Sequence, residues 1–165
     1  MKNELPYCKT SEGIIGYSES IIAKGETNDC VVRAFASCFD LQYDKAHKFV
    51  KEKFNRVDRQ GTFRTVYKMT EIATKGQQIN YKKVKCLGNK TEYSNQRTMK
   101  YKVKTKEGFV MRNMTVGTFT KQNPIGTFFI LVDRHAFTIK NGVVIGNMED
   151  AKKPKRVVKH AFEIK

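Results

Sequence analysis

The sequence has no hydrophobic run that would cross a membrane and no recognisable export signal. No apolar stretch approaches the roughly 18 residues that a transmembrane helix requires. The segment from Met1 to Tyr17 has an early lysine but lacks the apolar core of a signal peptide. We therefore expect a protein that is not secreted through a signal peptide and has no membrane partner.

Paired cysteines are also missing. The four cysteines form no CxxC pair, and no two cysteines or histidines have the spacing of zinc ligands. Without an export signal, free thiols in a reducing compartment are the expected state of all four. The sequence thus predicts no disulfide, no metal site and no cofactor. The cysteines are Cys8, Cys30, Cys38 and Cys86.

Internal repeats and low-complexity tracts are absent as well. A chain of 165 residues fits one domain of ordinary size. Its content of 39% hydrophobic and 29% charged residues is typical of a globular protein. We predict a single domain over residues 1–165, with an irregular lead-in at 1–26 and a basic insertion at 79–114.

Positive charge, in contrast, is abundant. Lysine and arginine number 32 against 16 acidic residues, a formal net charge of +16. Such an excess favours polyanions through counterion release. The candidate nucleic-acid-binding residues are Lys82, Lys83, Lys85, Lys100, Lys102 and Lys104, with Tyr81, Tyr93 and Tyr101 interleaved as possible stacking residues. A solvated basic strand pair that binds nothing explains the same pattern equally well.

Helical patterns come first along the chain and strand patterns follow. Apolar residues recur at spacings of three and four over 28–39 and 43–54, and more weakly over 61–75. A short helix is predicted over 116–122. Strands are predicted at 127–132, 135–140, 143–145 and 157–164, with Asn141-Gly142 as a hairpin turn. This order predicts an α+β domain in which N-terminal helices pack on a C-terminal antiparallel sheet.

Cys30 lies in the first turn of the first strong helix, just after the capping candidates Asn28 and Asp29. Unpaired backbone N–H groups and the helix dipole stabilise negative charge there, which lowers the pKa of a thiol. The same N–H groups suit an oxyanion once the sulfur attacks a carbonyl. Most free cysteines are nevertheless small buried hydrophobes, so Cys30 alone leaves both readings open.

His135 is the histidine best placed to act as a base. His47 lies on a lysine-rich helix and His160 in the basic tail, whereas His135 begins a β-rich strand that would hold its ring rigidly. A third residue should orient the imidazole. Counting outward from the hairpin turn places Asn147 beside the start of the histidine strand, so Asn147 is favoured. Asp150 is the rival, if the chain turns back after Met148.

Two blocks of this sequence are distinctive. The first is GETNDCVVRAFA followed by YDKAHKFV, and the second is TVGTFTKQNPIGTFFILVDRHAFTIKNGVVIGN. Both blocks resemble small papain-like cysteine peptidases encoded by bacteriophages. The resemblance covers residues 25–54 and 115–147, about half the chain. It implies a papain-like fold with Cys30 as nucleophile, His135 as base and an Asn or Asp after the next strand. Such enzymes often use a glutamine upstream of the nucleophile, and here Asn28 or Thr27 would replace it.

The resemblance implies a thiol hydrolase, and more narrowly a cysteine peptidase, that cleaves an amide or isopeptide bond of a protein or peptide. It places the protein in the host cytoplasm or in the virion. Two alternatives remain open at this point. One is a catalytically degenerate basic phage protein that binds nucleic acid or forms part of the virion. The other is a protein that interferes with host defence by cleaving or blocking a host target.

Overall fold

The computed structural model describes residues 4–88 and 98–165, so the candidate stacking residue Tyr93 lies outside the described residues. The described chain is an α+β structure with a mixed sheet. Its strands are β1 Tyr7–Lys9, β2 Val84–Leu87, β3 Lys100–Thr105, β4 Gly108–Asn113, β5 Thr127–Val132, β6 His135–Lys140, β7 Val143–Gly146 and β8 His160–Ile164. Its helices are α1 Thr10–Gly13, α2 Ile21–Gly25, α3 Cys30–Phe39, α4 Tyr43–Lys53, α5 Thr65–Thr74, α6 Val116–Gln122 and α7 Met148–Lys152.

Six strands form the main sheet in the order β1-β7-β6-β5-β8-β2. The meander β5–β6–β7 is joined by two tight turns, which pair Val132 with His135 and Lys140 with Val143. Strand β8 returns to pair with the other side of β5. All these pairings are antiparallel, whereas β1 runs parallel to β7 at the sheet edge.

The sheet is covered on both faces. Alternate residues of β5 enter two separate cores, with Phe129 in one and Phe128 in the other. Helices α3 and α4 cover the first face, and α6 contributes Phe119 to the second. Because both faces are buried, β5 reads as a continuous apolar run instead of an alternating one. Helix α3 packs directly on β5 and β6, which brings the start of α3 close to the start of β6.

Most predicted elements are confirmed, with three corrections. The segment 1–26 is not wholly irregular, because it supplies β1, α1 and α2. The sheet is mixed and not purely antiparallel, since β1 joins it in parallel. Within 79–114, β2 belongs to the main sheet beside β8, and only β3 and β4 form a separate two-stranded hairpin.

A smaller difference concerns the bounds of one strand. The last strand begins at His160, three residues later than the predicted start at Val157. Within the described ranges, no helix has both the length and the apolar character needed to span a membrane.

Candidate active site

Cys30 is the first residue of α3, and Asp29 is its N-cap residue. The buried carboxylate of Asp29 accepts a hydrogen bond of 2.6 Å from the Tyr43 hydroxyl and forms an ion pair of 3.1 Å with Arg33. These contacts tie the start of α3 to α4 and to the next turn of α3. The Cys30 thiol is partly buried and sits where backbone N–H groups have no intrahelical partner.

His135 is the first residue of β6. It follows a two-residue turn in which Arg134 has a left-handed φ of 54°. Its Nε2 lies 2.9 Å from Oδ2 of Asp150. The Cys30 thiol is close enough to the ring for each group to shift the pKa of the other. The imidazole therefore has a thiol and a carboxylate as neighbours.

Asp150 is 2% exposed and is held by three donors. Oδ2 accepts from His135 Nε2 and, at 2.9 Å, from the backbone N–H of Asn147. Oδ1 accepts from the Arg156 guanidinium at 3.0 Å. The bond to Asn147 closes the first turn of α7, so the same oxygen fixes this helix start and the imidazole. A carboxylate with this many partners has little freedom to turn away from His135.

Asn147 does not occupy the predicted place beside the ring. The predicted register is confirmed where β6 and β7 pair, from Lys140–Val143 to Thr138–Ile145. However, β7 ends at Gly146, and Asn147 becomes the N-cap residue of α7. Its Oδ1 accepts a hydrogen bond of 2.7 Å from Arg33. The turn into α7 brings Asp150, the rival candidate, back to the histidine.

The electrostatics of the pair favour charge separation. Burial opposes ionisation of Cys30, but its contacts with His135, the Ala136 backbone N–H and Arg33 outweigh burial and lower the pKa of the thiol. Burial also disfavours protonated His135, yet hydrogen bonds to Asp150 and Cys30 raise its pKa to about 9. A lowered thiol pKa beside a raised imidazole pKa favours a thiolate–imidazolium pair near neutral pH.

Asn28 lies two residues before the nucleophile candidate in a left-handed conformation, with φ of 54°. Its side-chain amide nitrogen donates to the carbonyl of Arg59 at 3.3 Å. The Thr27 hydroxyl donates to the same carbonyl at 2.9 Å. Both candidates for an oxyanion donor are thus turned towards the 55–61 loop. The backbone N–H of Cys30 is the donor that the helix start itself provides.

A buried ionic cluster that the sequence did not predict lies behind this segment. The Arg56 side chain is completely buried and binds both carboxylate oxygens of Glu26, at 3.2 and 2.7 Å. His47, which the sequence places on a solvated helix face, is 6% exposed and lies 2.7 Å from Glu26. Arg56 also donates to the Thr27 carbonyl. The cluster therefore anchors the chain just before Cys30.

The same cluster is the group among the described residues with a geometry suited to metal ligation. Ligand atoms of Glu26, His47 and Asp58 lie within 4.8 Å of one another. The Arg56 guanidinium, however, is 3.3 Å from the His47 Nε2 and already neutralises Glu26. A second cation there would meet strong repulsion. The buried position of His47 was not predicted from the sequence. The helical spacing of His47 from Tyr43 and Val50, which are also buried, is the pattern that indicates this.

The predicted basic residues occupy different parts of the structure. Lys82 forms an ion pair with Asp40, and Lys83 and Lys85 lie beside or within β2 in the main sheet. Tyr81 is 93% exposed, and Tyr101 packs against the second core. The remaining three lysines are exposed and share one face of β3, as alternation predicts; they are Lys100, Lys102 and Lys104.

Comparisons of the chain with protein-family models, with curated proteins and with solved structures find no match. The geometry of the site is therefore the basis on which its chemistry is assigned.

Proposed function

We propose that this protein is a papain-like thiol hydrolase that cleaves an amide or isopeptide bond of a protein or peptide. One observation carries the proposal. A partly buried imidazole lies between a thiol at a helix start and a buried carboxylate, with Cys30, His135 and Asp150 in that order. A nucleophile beside a base that a third group orients is the arrangement that covalent catalysis requires.

The proposed first step is acyl transfer to sulfur. The Cys30 thiolate attacks the carbonyl carbon, and the carbonyl electron pair moves onto oxygen to form a tetrahedral oxyanion. The backbone N–H of Cys30 donates to that oxyanion. As the intermediate collapses, the C–N bond breaks and the His135 imidazolium gives its proton to the leaving amine. The products of this step are a free amine and a thioester on Cys30.

The second step is hydrolysis of the thioester. Neutral His135 takes a proton from water as the water oxygen attacks the thioester carbonyl. The C–S bond then breaks, the acid product leaves, and the thiolate–imidazolium pair is restored. In both steps Asp150 holds the ring through Nε2 and stabilises its positive charge. Arg33 helps to stabilise the Cys30 thiolate through its charge, and Asn147 holds Arg33 through a hydrogen bond.

Two further features support the papain-like assignment. The thiol begins a helix that packs on an antiparallel part of the sheet, and the histidine begins a central strand of that sheet. The chain order of thiol, histidine and carboxylate is also the order that the resemblance of the two sequence blocks implies. Asp150 is one of the two residue types, Asn or Asp, that this resemblance implies for the third position.

The deciding experiment measures alkylation of individual cysteines by iodoacetamide between pH 5 and 9, with peptide mass spectrometry. We expect Cys30 to react fastest and to stay reactive below pH 7, because its pKa is lowered. Buried Cys38, whose pKa is about 12, should remain unmodified in the folded protein. His135→Ala should slow Cys30 alkylation at pH 6, because the lowered pKa of the thiol depends on His135.

His160→Ala is the matched control, since it removes a partly buried histidine from β8, two strands away from β6. It should leave the Cys30 rate unchanged. Equal labelling of Cys30 and Cys86 across this pH range, or an unchanged rate in His135→Ala, would refute the proposal. Hydrolysis is then tested on a fluorogenic peptide library, with Cys30→Ala as the blank.

A further inference from the structure

The hairpin β3–β4 stands apart from the main sheet as a separate two-stranded unit. Cross-strand pairing sets its two faces: Lys102 lies opposite Met111, and Lys104 opposite Phe109. Opposed residues of an antiparallel pair project on the same side. One face, here called the outer face, therefore carries Lys100, Lys102, Lys104, Phe109, Met111 and Asn113.

The opposite face of the hairpin is used differently. Its β3 residues Tyr101 and Val103 are partly buried, and Tyr101 packs against the second core, whereas its β4 residues Val110 and Arg112 are exposed. On the outer face, by contrast, the three lysines are exposed, Phe109 is 64% exposed and Met111 is 57% exposed. Large apolar side chains displayed together on a surface point to a binding function.

Charge defines the kind of partner. Positions 100–113 contain a single acidic residue, Glu107 in the turn, so the outer face has one sign of charge. The lysines recur every second residue of a strand, about 6.8 Å apart. This spacing presents a row of ammonium groups to an extended chain of phosphates. Lysine acts as a point charge towards phosphate and does not read base edges as arginine does.

The exposed aromatic ring of Phe109 indicates which form of nucleic acid would bind. The Nζ of Lys102 lies over the Phe109 ring, 5.2 Å from its centre. One face of the ring therefore meets an ammonium group, and a base would stack on the other face with that positive charge close by. Proteins that bind single strands combine a basic track with exposed aromatic rings on which bases stack. In a duplex the base faces are covered, and the ring would have nothing to stack on.

We propose that the outer face of the β3–β4 hairpin binds single-stranded nucleic acid without sequence preference, with Phe109 as the stacking residue. This assignment replaces Tyr101, which points to the other face, and does not depend on the chemistry at Cys30. Lys100, Lys102 and Lys104 contact consecutive phosphates, and Met111 extends the apolar surface beside the ring.

The chain has no tryptophan, which gives a direct optical test. Phe109→Trp introduces a single indole at the proposed stacking position. We expect a fluorescein-labelled 20-nucleotide thymidine strand to bind at micromolar protein in about 50 mM salt. An unlabelled strand should quench the indole fluorescence. Phe109→Ala should weaken binding of the single strand about tenfold or more, the scale of one lost stacking contact.

The charge component is tested on the same strand as a function of salt. Replacing Lys100, Lys102 and Lys104 with glutamine should reduce the magnitude of the slope of log K against log salt by about 2, the value for three lost phosphate contacts on a single strand. The matched control replaces three exposed lysines elsewhere, Lys45, Lys53 and Lys121, and should change the slope far less. Circular dichroism checks that each variant is folded.

Three results would overturn the proposal. The first is no binding of the strand at micromolar protein. The second is equal binding of duplex and single strand that Phe109→Ala does not change, which would show that the face attracts nucleic acid through its positive charge alone. The third is competition by polyglutamate as effective as that by unlabelled strand, which would indicate an acidic protein partner. Cys30→Ala should bind the strand normally, so failure of this proposal and failure of the hydrolase are distinguishable.

Discussion

Asp150→Asn separates the two candidates for the residue that orients His135. The wild-type imidazole has a pKa of about 9, because its hydrogen bonds to Asp150 and Cys30 outweigh the effect of burial. Asparagine keeps the size of the side chain but removes its negative charge. A hydrogen bond to a charged group contributes about 1.5–3 kcal/mol, and one pKa unit corresponds to about 1.4 kcal/mol. We therefore expect the pKa of His135 to fall by about one to two units.

The measurement is an NMR titration of the imidazole resonances between pH 5 and 10, which is simple because the chain has three histidines. Asn147→Ala is the control, since the Asn147 side chain contacts Arg33. It should leave the His135 titration in place. A pKa of His135 that stays near 9 in Asp150→Asn, or that falls equally in Asn147→Ala, would show that the reasoning is wrong.

The same change alters the pH dependence of stability. In the wild type, the His135 pKa of about 9 lies above the ordinary value of 6.5. A raised pKa in the folded state stabilises the protein fully below the unfolded value, and this contribution is lost as pH rises through the folded value. Urea unfolding of the wild type should therefore show stability falling between about pH 6.5 and 9. In Asp150→Asn the fall should be smaller and should end at lower pH.

Two further predictions concern buried groups. Cys38→Ala removes a fully buried thiol that lies 3.2 Å from the Thr138 hydroxyl; it should cost about 1–2 kcal/mol in urea unfolding and leave the Cys30 alkylation rate unchanged. Arg56→Ala leaves Glu26 buried without its cation and should cost about 3–5 kcal/mol. Because the Glu26 pKa is lowered to about 2 from 4.5, its contribution is present above about pH 4.5 and lost as pH falls through 2. In Glu26→Gln the free energy of unfolding should therefore change less between about pH 4.5 and 2. An unchanged pH dependence over this range would show that Glu26 does not stabilise the fold in this way.

Local signals account for the elements that the sequence predicted well. Helix α6 begins after Thr115, whose hydroxyl accepts from the Thr118 N–H, and its observed bounds match the predicted ones. The Asn-Gly turn likewise fixes the β6–β7 register locally, because the length of a turn sets how its two strands pair. Features of this kind depend on residues within one or two turns of each other. Cys30 and His135 were accessible to prediction because each begins such an element.

The missed features depend on distant parts of the chain. Strand β1 pairs with β7 across more than 130 positions, and three residues carry too little pattern to be recognised. The Glu26–Arg56 pair is set by how a loop folds back onto the segment before α3. The place of Asp150 depends on a five-residue helix that turns the chain back after β7. Counting residue pairs outward from the hairpin turn assumes that β7 continues straight, and this assumption favoured Asn147.

Gly146 gives a last test of this turn. The structure gives a steric reason for a glycine at this position. A Cβ atom built on Gly146 would lie 2.8 Å from Oδ2 of Asp150 and 3.0 Å from Cβ of Phe137. The backbone has little room to retreat, because the Gly146 carbonyl accepts hydrogen bonds from the hydroxyls of Tyr7 and Thr10.

Gly146→Ala should therefore displace the Asp150 carboxylate from His135 while leaving every charge in place. Overpacking of this kind costs about 1–3 kcal/mol, measured by urea unfolding. The pKa of His135 should fall in the direction of the Asp150→Asn variant, since the lost contact is the same. Gly61→Ala is the control, because a Cβ at Gly61 meets no atom within 4 Å. If Gly146→Ala is destabilised but keeps the His135 pKa near 9, the carboxylate has followed the ring, and the close fit at Gly146 plays no part in orienting it.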